Sequence, residues 1–112
     1  MKKMKVDLAV IGGGPAGMAA ALEAKRQGVE KVIIIERDKK LGGILQQCIH
    51  DGFGIQRFGE RLAGTEYAQR FIDQIKESDI EVLLETMVIE MTPEKEIYAV
   101  SYTHLTLPTI RL

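Results

Sequence analysis

Apolar residues occur in runs whose lengths and spacing alternate between those of strands and those of helices. Residues 5–11 form a nearly continuous apolar run and residues 31–36 a β-branched one, both typical of buried parallel strands. Between them, residues 15–27 are mostly good helix formers with a proline in the first turn, and Gly28 supplies a helix stop. This order predicts one βαβ unit with a right-handed crossover.

The remaining apolar pattern predicts a second helix, a third strand and a hairpin. Apolar positions recur at helical spacing over residues 65–78, and residues 80–85 again look like a strand. Residues 87–100 alternate on either side of Thr-Pro-Glu-Lys, which is typical of a β-hairpin or the start of a meander. The expected fold class is therefore α/β: a truncated Rossmann-like βαβ domain with a parallel sheet and a partial β-hairpin or meander.

The glycine pattern Gly12-x-Gly14-x-x-Gly17 lies between the first predicted strand and the first predicted helix. Gly12 can adopt the dihedral angles of a tight turn, Gly14 allows a diphosphate to reach the backbone, and Gly17 allows close helix–strand packing. The N–H groups and partial positive charge at the start of the helix favour an anion there. The alternative for such glycines alone is a simple strand-to-helix turn.

An acidic residue at the end of the second strand favours the nucleotide interpretation. Glu36 follows the last glycine of the pattern by about 20 residues, where a carboxylate would bind the ribose hydroxyls of an adenosine. It also disfavours NADP, because a 2′-phosphate about 4 Å away would be repelled by about 4 kcal/mol per charge pair at an effective dielectric constant near 20. Arg37 would soften this repulsion. We predict a bound dinucleotide, with FAD and NAD both open at this point.

Composition adds mainly exclusions. The chain has 112 residues, enough for one small domain, and its net charge of -1 gives no reason to expect nucleic acid as a partner. No apolar run approaches the roughly 18 residues of a membrane span, and no metal site is predicted. Cys48 is the single cysteine, so the chain has no internal disulfide or CxxC pair, which fits a cytoplasmic location.

The stretches "VIGGGPAGMAAALEAKRQG", "VIIIER" and "LGG" resemble the amino-terminal FAD site of the FAD-dependent pyridine nucleotide oxidoreductase superfamily, flavoproteins with two dinucleotide-binding domains. The resemblance covers about residues 1–45. It implies FAD as the cofactor, NAD(P)H as the co-substrate of the full-length protein, and hydride transfer through the flavin. The cofactor-binding residues that it implies, together with their immediate neighbours, are Gly12, Gly14, Pro15, Ala16, Gly17, Glu36, Arg37, Gly42 and Gly43.

The long connector after this site, residues 39–64, holds the candidate catalytic residues. Its stretch "LGGILQQCIHDGFG" resembles a bacterial subgroup related to the flavoproteins of anaerobic glycerol-3-phosphate and amine oxidation. Cys48 and His50 are the candidates, with His50 as a proton donor or acceptor near the flavin ring. The alternative is a small buried cysteine beside a histidine satisfied by local hydrogen bonds. The substrate, the electron acceptor and any partner subunits stay open.

The end of the chain departs from the rest in composition. Residues 100–112 contain three threonines and a proline but no acid, and "VSYTHLTLPT" resembles a translation of the mosaic end and adapter of a transposon-made sequencing library. We expect residues 1–99 to be the amino-terminal part of an FAD/NAD(P)-binding domain and residues 100–112 to be non-native. The chain would then be an inactive fragment of a longer enzyme. The alternative is a real terminal β-strand.

Three functions are therefore weighed for the site. The first is the FAD-binding part of an NAD(P)H-linked flavoprotein oxidoreductase. The second is the NAD-binding domain of an ordinary dehydrogenase, which the later Gly-Gly pair disfavours. The third is a nucleotide-binding module without catalysis.

Overall fold

The computed structural model describes residues 3–43, 64–102 and 107–112. In chain order these residues form β1 (Lys3–Lys5), β2 (Leu8–Ile11), α1 (Pro15–Arg26), β3 (Val32–Ile35), α2 (Gly64–Glu77), β4 (Glu81–Leu83), β5 (Thr86–Met91), β6 (Glu96–Ser101) and β7 (Thr109–Arg111). In this part of the chain no helix is both long enough and apolar enough to cross a membrane.

The first layer is a parallel sheet with the strand order β2-β3-β4, which confirms the predicted βαβ unit. Helix α1 connects β2 to β3 and begins at a proline, as the sequence predicts. It ends at Arg26, and Gly28 follows with a φ of 99°. Because a side chain is strained at such an angle, glycine is suited to turning the chain toward β3.

Helices α1 and α2 pack against one face of this sheet. Met18 of α1 and Phe71 of α2 are almost fully buried in a cluster with Val32 and Ile34 of β3. Tyr67 contacts Phe71 edge to face, with ring centroids 5.1 Å apart. Both aromatic rings of α2 therefore serve core packing, as expected from their helical spacing.

The second layer is a mixed sheet with the strand order β1-β7-β6-β5. Strands β5 and β6 form the predicted antiparallel hairpin, with an irregularity between Val88 and Glu90. The other face of β3 packs against this layer, because Ile33 and Ile35 are buried in a cluster with Ile97 of β6 and Ile110 of β7. Strand β3 is thus covered on both faces, which explains its uninterrupted apolar run.

The predicted single strand over residues 5–11 is wrong in one respect, because the chain changes sheets within it. The Val6 N–H donates to the Arg111 carbonyl at 2.9 Å, whereas the Asp7 N–H donates to the Lys31 carbonyl at 2.9 Å. The residues before this point therefore pair with β7, and those after it pair with β3. An apolar run alone does not reveal such a change of partner, since both segments bury side chains.

The boundary predicted between residues 99 and 100 falls inside β6, which continues to Ser101. Strand β7 then inserts between β1 and β6, parallel to the former and antiparallel to the latter. Its Ile110 is fully buried. The non-native origin of residues 100–112 stays a prediction, because a segment of any origin can pair as a strand when its side chains suit the position.

Candidate functional site

The glycine loop joins the carboxyl end of β2 to α1. Gly12 has a φ of 109°, and its N–H donates to the Ile35 carbonyl at 2.8 Å, so the turn begins while the chain is still paired with β3. A Cβ at Gly17 would overlap the carbonyl oxygen of Gly12. The helix therefore lies directly against the turn, and both glycines have the roles that their spacing predicts.

The amino terminus of α1 is open to an anion. Gly14 is the N-cap and has no side chain to occupy the free N–H groups of the first turn, which also contains no acidic residue. The first helical bond runs from the Met18 N–H to the Gly14 carbonyl at 2.9 Å. Among the described residues, a Cβ added at Gly14 would meet nothing within 4 Å. The helix end combines first-turn N–H donors that no side chain caps, partial positive charge and, among the described residues, space beside Gly14, which together suit a phosphate group.

Glu36 lies at the end of β3 and is only 6% exposed. Its Oε1 accepts a hydrogen bond from the Gly13 N–H at 2.6 Å, and its Oε2 accepts one from the Asp38 N–H at 2.8 Å. A carboxylate offers about four acceptor positions, so the group retains capacity for further donors such as sugar hydroxyls.

The turn after β3 folds back onto the glycine loop. The Gly42 N–H donates to the Gly13 carbonyl at 2.8 Å, and a Cβ at Gly43 would lie 3.3 Å from the Gly14 Cα. Leu41 is buried above Gly13, where it would overlap an added Cβ. The Gly-Gly pair of the sequence therefore contacts the loop itself.

A cleft of about 250 Å³ opens at the carboxyl ends of β2 and β3 and at the start of β5. In open α/β sheets, ligands bind outside the carboxyl ends of the strands, which is where this cleft lies. Its lining residues are Ile11, Gly12, Ile35, Glu36, Arg37, Thr86, Met87 and Val88.

The structure brings the predicted cofactor-binding residues into one region. Gly12, Glu36 and Arg37 line the cleft, while Gly14, Pro15, Ala16 and Gly17 form the adjoining helix start, and Gly42 and Gly43 contact the loop. Their contacts with a cofactor stay a prediction.

Sequence reasoning missed several residues that shape this region. Gly13 and Leu41 contact each other across the loop, and the run of three consecutive glycines was the one signal for the first of them. The β5 residues in the cleft, Thr86 to Val88, gave no signal, because their strand pattern reports burial and says nothing of which strand end they adjoin.

The candidate catalytic residues Cys48 and His50 lie outside the described residues. Within residues 3–43, 64–102 and 107–112, no group of three or more histidine, cysteine, aspartate or glutamate side chains is arranged to hold a metal ion.

Comparison with known proteins gives consistent matches. The model of the FAD dependent oxidoreductase family matches residues 7–53. Thioredoxin reductase of Ureaplasma parvum is 35% identical over 86 residues, covering 76% of this chain and 26% of that protein. NADH dehydrogenase of Ferdinandcohnia aciditolerans is 33% identical over 78 residues, covering 69% of this chain and 14% of that protein.

A solved structure extends the likeness to nearly the whole chain. L-proline dehydrogenase of P. horikoshii superposes with a TM-score of 0.75 at 26% identity, covering 97% of this chain and 21% of that one. The chain spans about a quarter, or less, of the length of each of these proteins.

Proposed function

The chain belongs to the FAD-dependent pyridine nucleotide oxidoreductases, and we propose that it forms the FAD-binding part of an enzyme that passes a hydride between NAD(P)H and a second substrate. Bound flavin supplies the hydride chemistry in such enzymes, while the protein supplies binding, orientation and electrostatics.

The single observation that carries this proposal is the open amino terminus of α1 beside the cleft that contains Glu36. A diphosphate is attracted by the N–H groups of the first helical turn after Pro15, and no described residue lies within 4 Å of a Cβ added at Gly14. The Glu36 carboxylate lines the adjoining cleft, and its spare acceptor positions suit ribose hydroxyls.

The cleft suits the adenosine end of a dinucleotide. Its walls combine apolar side chains, Ile11, Met87 and Val88, with the polar edge of Glu36. Apolar walls with few polar groups are typical of small-molecule sites. The carboxylate disfavours an added 2′-phosphate, so this site suits FAD or NAD better than NADP, although Arg37 also lines it.

FAD is proposed over NAD on the strength of the family. The matched family model describes FAD-dependent oxidoreductases and covers the glycine loop, Glu36 and the Gly-Gly pair. Since the chain spans about a quarter of its relatives, we propose that the nicotinamide site and the acceptor site lie in further sequence. Cys48 and His50 remain the candidate catalytic residues, and a cytoplasmic location remains a prediction.

The test is to express the protein from its genomic reading frame and record its absorption spectrum. Flavin absorption bands that bleach when NADH or NADPH is added without oxygen are the expected result. Colourless protein that binds NAD would instead support an ordinary dehydrogenase. Bound flavin that neither nucleotide reduces would support a nucleotide-binding module without this catalysis.

A further inference from the structure

The Glu36 carboxylate is engaged by the protein itself. It is buried, and each oxygen accepts a hydrogen bond from the main chain: Gly13 N–H at 2.6 Å and Asp38 N–H at 2.8 Å. A buried carboxylate is costly unless hydrogen-bonded, and bonds from main-chain N–H groups to an ionised oxygen are among the strong ones. Glu36 therefore ties the middle of the glycine loop to the turn that follows β3.

Gly13 is held from both sides by this turn. While its N–H donates to Glu36, its carbonyl accepts from the Gly42 N–H at 2.8 Å, and Leu41 packs above it. The turn is itself tied to the link between β4 and β5, because the Glu85 N–H donates to the Asp38 carbonyl at 2.9 Å. These hydrogen bonds, here called the brace, connect the turn after β3 through Glu36 and Gly42 to Gly13 in the loop that precedes α1.

We propose that Glu36 is a positioning residue that holds the glycine loop in its binding shape before a cofactor arrives, by fixing the main chain of Gly13. This role is separate from its contact with the sugar. It rests on the proposed function only in that the loop it holds is the one proposed to receive the diphosphate.

Replacement of Glu36 by glutamine separates the two roles. An amide has one acceptor oxygen and one donor NH₂ group, whereas Gly13 and Asp38 both present N–H donors. One of these donors then faces the NH₂ group and loses its partner, so the brace fails at nearly unchanged shape. The replacement also removes a negative charge near the anion site, which by itself would strengthen phosphate binding.

Inorganic pyrophosphate is the probe, because it carries the diphosphate charge but no sugar. It is titrated into the cofactor-free protein, expressed from the genomic reading frame, with and without Glu36→Gln. We expect the variant to bind pyrophosphate about fivefold more weakly or worse, since the loss of a charge-assisted main-chain bond outweighs the relief of repulsion. Unchanged or tighter binding by the variant would overturn the positioning role, because a residue that acts through the sugar alone would affect this probe only through its charge, and loss of that charge strengthens phosphate binding.

Asp7→Asn is the matched control. Asp7 also accepts a main-chain bond, from the Lys31 N–H at 2.9 Å, but at the amino end of β3, away from the glycine loop. We expect this variant to keep its pyrophosphate affinity within about twofold even where it lowers stability. An equal loss in both variants would mean that general weakening of the fold explains the effect, and would overturn the proposal.

Hydrogen exchange of the cofactor-free protein tests the brace without any ligand. The Gly13 amide or the Asp38 amide, whichever faces the NH₂ group, is expected to exchange at least about tenfold faster in Glu36→Gln than in the wild type, with no such change in Asp7→Asn. Wild-type protein that binds neither pyrophosphate nor FAD would contradict the proposed function. The exchange rates would then still test whether Glu36 holds the glycine loop. Unchanged exchange of both the Gly13 and the Asp38 amides in Glu36→Gln would overturn the positioning role.

Discussion

The α1 crossover of the parallel layer and the β1–β7 pairing of the mixed sheet differ in how far apart in sequence their partners lie. The parallel layer is built around one continuous crossover, in which β2, the glycine loop, α1 and β3 follow each other directly. The mixed sheet pairs β1 at the start of the chain with β7 at its end. The proposed binding site lies in the first layer and at its junction with β5, whereas the second layer mainly covers the back of β3.

This difference teaches that the two layers are sensitive to different changes. In the crossover, backbone atoms approach one another closely, so substitutions that add atoms should lower its stability most. In the mixed sheet, buried side chains hold β7 against β3, so substitutions that remove buried atoms should lower its stability most.

The largest loss of stability is expected from Ile110→Ala in the 112-residue chain. Ile110 is fully buried between the layers, so truncation should lower the free energy of unfolding by about 2–4 kcal/mol, measured by urea denaturation. Ile89→Ala is the control on the same sheet, because its side chain is 60% exposed, and it should cost about 0.5 kcal/mol or less. Equal losses from the two variants would mean that β7 does not join the sheet.

A smaller loss, in the crossover, is expected from Gly17→Ala. Helix propensity alone would favour alanine by up to about 1 kcal/mol. Its Cβ would overlap the main-chain oxygen of Gly12, which cannot turn aside, so we expect a net loss of about 1–3 kcal/mol in the free energy of unfolding. A stabilised variant would show that the helix does not lie against the turn.

Gly13→Ala should cost less, about 1 kcal/mol, because its Cβ would meet the end of the Leu41 side chain and the Glu36 carboxylate, which are side-chain atoms rather than main chain. A double-mutant cycle with Leu41→Ala measures the contact directly. We expect a coupling energy of about 0.5 kcal/mol or more between the two sites, since the smaller side chain makes room for the added methyl group. Strictly additive losses would contradict the packing of Leu41 over the loop.

Sequence reasoning succeeded where a feature depends on neighbours in the chain. The glycine spacing and the proline at the start of α1 predicted the crossover, and the structure brings Glu36 at the end of β3 against the glycine loop. It failed where a feature depends on distant partners. The change of sheets at Val6 depends on β7, and the packing of Leu41 over Gly13 depends on how the later turn folds back. No periodic pattern encodes either contact.

The origin of residues 100–112 is open to a direct check. We propose that they are non-native, although residues 109–111 pair as β7 in this chain. Amplifying the gene from source DNA across codon 99 should yield a different continuation. Recovery of the same thirteen codons would end this proposal and make β7 a native strand.

The central claim is that a dinucleotide's phosphates lie on the bare main chain at Gly14, and Gly14→Ala tests it most directly. An added Cβ meets no atom of the described residues within 4 Å, so the free energy of unfolding should change by about 1 kcal/mol or less. The same Cβ would occupy the space of the diphosphate. FAD affinity, measured on protein expressed from the genomic reading frame, should therefore fall about tenfold or more. An unchanged affinity at unchanged stability would contradict the account.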